Sequence, residues 1–295
     1  MTTQALDLPP SVRIGPGSGG LTVVSVAGAG GSAEVYLHGA QITSWVTAGA
    51  EPVLWLSAAS EFAQGAAIRG GVPLCFPWFG PLAGTPSAPK HGFARLVDWT
   101  LAQVREDGDD VVLVLELRDS AATRSSAWPH PFEATYTITV GTRLTLSLAV
   151  ANTGTAGFSF EEALHTYLSV ADIGATEVRG LEGAAFFDQL RDPQGQPAEA
   201  GPVRFAAETD RAYVATTAAA TVVDAAAGRS VTVEKRGSRS TVVWNPWRAK
   251  AAAMADFGDD EWERMVCVET CNVRTDAVQL APGSSHVMSV TLAIG

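Results

Sequence analysis

Short runs of β-branched or alternating apolar residues recur along this chain between Gly, Asp and Asn, at positions 21–26, 33–37, 111–117, 134–140, 143–151, 230–235, 265–269 and 287–294. A side-chain period of two suits a strand with one buried face and would scatter around a helix. The spacing therefore predicts an all-β protein. Segments 111–118, 133–140 and 144–150, the last two joined by Gly141 and Thr142, read as consecutive antiparallel strands. Helical signals are few. The run DDEWER at 259–264 places acidic residues at the start of one helical turn, where the helix dipole favours them. Two alanine-rich stretches, 215–220 and 249–253, have helix propensity but are short enough to be marginal. No repeat, linker or charge run divides the chain. One domain over 1–295 is expected, with two large antiparallel sheets packed face to face and closed by long loops.

The segment from 69 to 95 does not fit the strand pattern. It holds two Arg, one Lys and one His but no Asp or Glu, in a chain with 31 acidic residues and a formal net charge of -11. Pro73, Pro77, Pro81, Pro86 and Pro89 surround Trp78 and Phe79. Proline fixes φ and lacks a donor, so this is a shaped loop, and the apolar content of VPLCFPWFG argues against disorder. A local basic island in an acidic chain points to one small anion. The alternative is that its arginines pair with carboxylates elsewhere, since arginine suits both partners.

The acidic balance argues against nucleic acid or an anionic membrane as partner, because both reward an extended basic face. No apolar run reaches membrane-spanning length, and MTTQALDLPP lacks the charged head and apolar core of a secretory leader. A soluble cytoplasmic protein is expected. Cys75, Cys267 and Cys271 are too few for a disulfide framework and fit a reducing compartment.

Two residues stand out chemically. His165 lies in FEEALHTYLSVADI, where apolar neighbours can move an imidazole pKa to suit proton transfer, although a structural histidine would look the same. Glu269 interrupts the apolar strand MVCVETCNV, where a carboxylate is out of place without a specific partner or task. Period-two alternation puts Cys267, Glu269 and Cys271 on one face. A metal site there is disfavoured, because ligands two apart on a strand diverge and no second Cys/His cluster accompanies them. A buried ion pair between Glu269 and an arginine is the plainer alternative.

In order along the chain, EVYLHGAQITSW, PVLWLS, IRGGVPLCFPWFG, KHGFAR, LHTYLSVADI, VVWNPW and the acidic-Trp turn before MVCVETCNV resemble the glucose-6-phosphate 1-epimerase family. These are the hexose-6-phosphate mutarotases, within the aldose 1-epimerase or galactose mutarotase-like superfamily. The resemblance covers nearly the whole chain. It implies a galactose mutarotase-like supersandwich with its active site on the concave face of one sheet, His165 as general acid and Glu269 as general base of anomer interconversion. Each group must both give and accept a proton near neutral pH, and that chemistry calls for no metal or organic cofactor.

By the same resemblance Arg69 and Arg95 hold a 6-phosphate, Lys90 and His91 lie near the sugar or its phosphate, and Asp210 in ETDRAY binds sugar hydroxyls. A turn aspartate is the alternative for Asp210. Lys90 departs from the glutamine expected before HGFAR and adds positive charge. Trp78 and Trp247 either pack on the sugar or fill core. The expected partner is a small sugar phosphate, and nothing demands more than a monomer. An epimerase for free sugars would not need Arg69 and Arg95, and a non-catalytic sensor would not need His165 with Glu269. The segment 183–202 has no functional reading.

Overall fold

Alternation in sequence becomes alternation in burial. In the computed structural model, which describes residues 6–47, 49–196 and 198–295, the strands Phe132–Val140 and Leu144–Asn152 bury every second side chain. They pair antiparallel with each other, and Phe132–Val140 pairs onward with Asp110–Arg118, as the sequence predicts. Met1 to Ala5, part of the segment tested for a leader, and Pro197, within 183–202, lie outside the described residues.

Among the described residues, two large antiparallel sheets dominate. One has nine strands, from Val203–Arg204 at one edge to Thr100–Asp107 at the other. The second has eight and is centred on Ser240–Asn245 and Met265–Asn272. A single apolar cluster joins Ile138, Leu146 and Val290 of the first to Val243 and Val268 of the second. Fully burying such side chains stabilises the fold by roughly 1.5–3 kcal/mol each. A four-stranded sheet, Val12–Pro16 to Gln41–Val46, packs its Val24, Val35 and Trp45 into the same cluster.

The eight-stranded sheet differs from its partner in one respect that matters for function. Every residue of Ser240–Asn245 and of Met265–Asn272 is buried. One face lies against the core and the other lies under loops, so a polar side chain on the loop-covered face sits in a sheltered place.

Helices are short. Residues 249–252 of the stretch 249–253 lie in the helix Trp247–Ala252, which Ala253 caps, and the acidic turn is a 3-10 helix, Glu261–Arg264. The other alanine-rich stretch, 215–220, is not helical. Ala215 donates its N–H to Asp276, Thr216 donates to the Arg239 carbonyl, and Ala220 begins the strand Ala220–Asp224, so its backbone groups are committed elsewhere. The segment 183–202 contributes the edge strand Asp192–Gln196 and its neighbour Phe186–Asp188.

Candidate active site

The sheet itself brings His165 to Glu269. Two short strands, Glu162–Leu164 and Tyr167–Ser169, both pair with Met265–Asn272, Leu164 opposite Thr270 and Tyr167 opposite Cys267. The two residues between them, His165 and Thr166, therefore meet Val268 and Glu269. The Pro73 carbonyl accepts the His165 N–H at 3.0 Å, and the imidazole stacks on Tyr167 with centroids 4.7 Å apart and planes 10° off parallel. His165 Nε2 lies 3.4 Å from Glu269 Oε1, with the residues 7% and 1% exposed. His165 Nδ1 and Glu269 Oε2 are buried and have no hydrogen-bond partner among the described residues. Among the described residues Glu269 is thus not paired with an arginine, which removes the plainer alternative.

Burial decides the protonation of this pair. It pushes Glu269 well above the ordinary carboxylate range, with a further rise from Asp210 and an opposing pull from Arg95. It pushes His165 well below its ordinary value, helped by His91, Arg95 and Arg69. A protonated carboxyl beside a neutral imidazole and a carboxylate beside an imidazolium differ only by transfer of one proton across 3.4 Å. Low dielectric favours the neutral arrangement.

The basic loop forms the wall of this site. All seven residues singled out in the sequence line one cavity of about 650 Å³: His165 and Glu269 at its floor, then Arg69, Lys90, His91, Arg95 and Asp210. The two arginines differ in their partners. Arg69 donates to Asp256 through Nε and Nη2 and to the Tyr167 hydroxyl at 3.0 Å, so the expectation that island arginines pair with acids elsewhere holds for it. Arg95 donates to the Lys90 carbonyl at 2.8 Å, its buried Nε has no partner, and it pairs with no carboxylate among the described residues. Lys90, exposed at the rim, has no ion pair among the described residues either.

His91 is fixed in one tautomer. The Gly80 N–H donates to its Nδ1 at 3.3 Å, so the ring proton sits on Nε2. Burial, with Arg95, Arg69 and Lys90, lowers its pKa to about 3, which makes it a neutral donor near neutral pH. The backbone there is left-handed, at φ 64° for His91 and 76° for Gly92. A Cβ on Gly92 would lie 2.0 Å from the Phe76 carbonyl oxygen. Gly92→Ala is expected to destabilise the protein by roughly 1–3 kcal/mol, read as a lower denaturant midpoint; an unchanged midpoint would contradict the packing described.

Asp210 belongs to the strand Thr209–Tyr213, not to a turn before one, which corrects the alternative weighed for it. Burial raises its pKa to about 6 against the opposing charges of Lys250 and Arg274. Trp78 lines the cavity and donates its indole N–H to the Pro89 carbonyl. Trp247 instead packs on Trp262 with centroids 4.3 Å apart. Sequence reasoning missed Glu161, Gln189, Trp244, Lys250 and Arg274, all cavity-lining. Trp244 sits inside the quoted VVWNPW motif. The others gave no signal beyond being polar.

A buried imidazole–carboxyl pair on the loop-covered face of one sheet, walled by arginines, is the arrangement that a sugar isomerase of the mutarotase kind requires. The family model for aldose 1-epimerase matches residues 22–293, and the chain belongs to that family. Among its relatives is an Escherichia coli K12 protein named "Putative glucose-6-phosphate 1-epimerase", 40% identical over 81% of this chain and 79% of that one. A Cenchrus ciliaris protein of the same name is 36% identical over 85% and 78% of the two chains. A Salmonella typhimurium crystal structure, described as "a putative mutarotase (YeaD)", superimposes with a TM-score of 0.91 at 34% identity, covering 98% of this chain and 95% of the other.

Proposed function

We propose that this protein interconverts the α and β anomers of a hexose 6-phosphate, glucose 6-phosphate first among them. The observation that carries the reading is the 3.4 Å approach of His165 Nε2 to Glu269 Oε1 in a cavity that also holds Arg95, which has no carboxylate partner among the described residues. The hydroxyl oxygen and the ring oxygen of a cyclic sugar are both bonded to C1. An acid and a base that serve them together must therefore sit close to one another.

In ring opening, the Glu269 carboxylate takes the proton from the C1 hydroxyl while the His165 imidazolium protonates the ring oxygen. The C1–O5 bond breaks, and a C1 aldehyde and a C5 hydroxyl result. Rotation about C1–C2 presents the other face of the aldehyde. Reclosure runs the protons backwards: neutral His165 takes the C5 hydroxyl proton and protonated Glu269 gives its own to the carbonyl oxygen. One proton alternates between two groups, and each role is worth about a hundredfold to ten-thousandfold in rate.

The phosphate contributes to this cycle. Arg69 and Arg95 help hold the His165 pKa down. A phosphate dianion bound between them offsets that charge and raises the His165 pKa toward the imidazolium that protonates the ring oxygen. His91 supplies a fixed Nε2–H to a sugar oxygen, Lys90 adds charge at the rim, and Asp210 accepts hydrogen bonds from sugar hydroxyls.

A pH dependence follows from Asp210. As pH falls through about 6 its carboxylate takes a proton and loses acceptor capacity, so KM rises on the acid side. Free hexose is the substrate for this test, because a phosphate monoester itself titrates near 6. The expected result is an acid limb with its midpoint near 6 that Asp210→Asn abolishes. Persistence of the limb in that variant would assign it to another group.

A further inference from the structure

Five residues past Glu269, where the strand Met265–Asn272 has ended, Arg274 turns into the same cavity with a left-handed backbone at φ 57°. A non-glycine residue holds that conformation only when its surroundings impose it. Here they do. The Glu161 carboxylate accepts the Arg274 N–H at 2.6 Å through one oxygen and the Phe79 N–H at 3.0 Å through the other. The guanidinium lies 4.6 Å above the Phe187 ring, and Nη2 donates to Gln189 Oε1. No carboxylate pairs with it among the described residues. Its backbone, one face and one edge are fixed, and the donors left over belong to a group that lines the cavity.

Its place relative to the other charges is informative. Arg69 touches Tyr167, which pairs with Cys267, whereas Arg274 follows Asn272 at the opposite end of the strand. The charges of Arg69 and Arg95 bear on His91 and His165, and those of Arg274 and Lys250 bear on Asp210. The cavity thus has two ends. In a hexopyranose 6-phosphate C6 hangs from C5, which carries the ring oxygen, so phosphate and ring oxygen share one end. The carbons across the ring carry neighbouring hydroxyls. A guanidinium fork suits two neighbouring oxygens.

Resting on the epimerase reading above, we propose that Arg274, set by Glu161, Phe187 and Gln189, is a specificity residue that contacts a neighbouring pair of hydroxyls on the side of the sugar away from the phosphate. It reads sugar stereochemistry and leaves the phosphate to Arg95.

The test compares Arg274→Met with the parent protein on glucose 6-phosphate, on free glucose, and on 2-, 3- and 4-deoxyglucose 6-phosphates, by the saturation of anomer exchange and by calorimetric binding. The expected result is a KM raised about tenfold to a hundredfold, equally for glucose 6-phosphate and glucose, with kcat little changed. The penalty should vanish with at least one deoxy sugar. Arg274→Lys, which keeps the charge without the fork, should recover only part of the loss. An unchanged KM, a penalty confined to phosphorylated sugars, a penalty that persists across all three deoxy sugars, or full recovery by lysine would each overturn the assignment. Absence of exchange with the parent protein would count against the epimerase reading alone. The calorimetric comparison of the two proteins would then still decide the role of Arg274.

Discussion

Glu269→Gln is expected to give a folded protein that no longer interconverts anomers, with the exchange rate down about a hundredfold to ten-thousandfold. Glutamine keeps the shape of the side chain and removes the titrating proton, so the loss reads chemistry and not packing. His165→Ala should fall as far, and the double variant little further, because the two groups pass one proton between them and act as a unit. Stability should move the other way. Burial raises the Glu269 pKa in the folded state, so the stability tied to this group is fully present below the unfolded carboxylate range and is lost as pH rises through the folded value. At neutral pH the glutamine variant, without an ionisable group at a buried and unpartnered oxygen, should be at least as stable as its parent. Its denaturation midpoint should also depend less on pH. Full activity in either single variant would end the acid–base account.

Arg95→Ala is expected to discriminate between substrates. Its half-buried guanidinium pairs with no carboxylate among the described residues, while Arg69 is already committed to Asp256 and Tyr167. Loss of a charged hydrogen-bonding partner for phosphate should raise KM for glucose 6-phosphate about tenfold to a hundredfold, with the KM for free glucose nearly unchanged. Arg69→Ala should give a mixed effect, because it also strips Asp256 and the Tyr167 hydroxyl of their partner. An equal penalty for phosphorylated and free sugar in Arg95→Ala would remove the phosphate from this end of the cavity.

Much of the fold was legible because period-two alternation is a local property. Phe132–Val140 shows it in full, with one face buried and the other half-exposed. Thr100–Asp107 was missed because a register shift between Leu101 and Gln103 breaks the period. Val12–Pro16 was missed because it is an edge strand containing Gly and Pro, and strands such as Leu74–Cys75 are shorter than any pattern that could announce them. Glu269 was legible as a carboxylate in an apolar strand. That its partner is His165 came from family resemblance, since residues so far apart in sequence meet only through the interrupted pairing of Glu162–Leu164 and Tyr167–Ser169. The pairing of Arg69 with Asp256 and the backbone conformation of Arg274 depend on packing between distant loops and left no trace in local sequence.

One-dimensional exchange NMR on equilibrated glucose 6-phosphate, with and without catalytic amounts of the protein and repeated with free glucose, tests the central claim most directly. The account predicts protein-dependent transfer of magnetisation between the α and β anomeric signals, faster for the phosphate than for the free sugar. Exchange with neither sugar, or with free glucose alone, would contradict it.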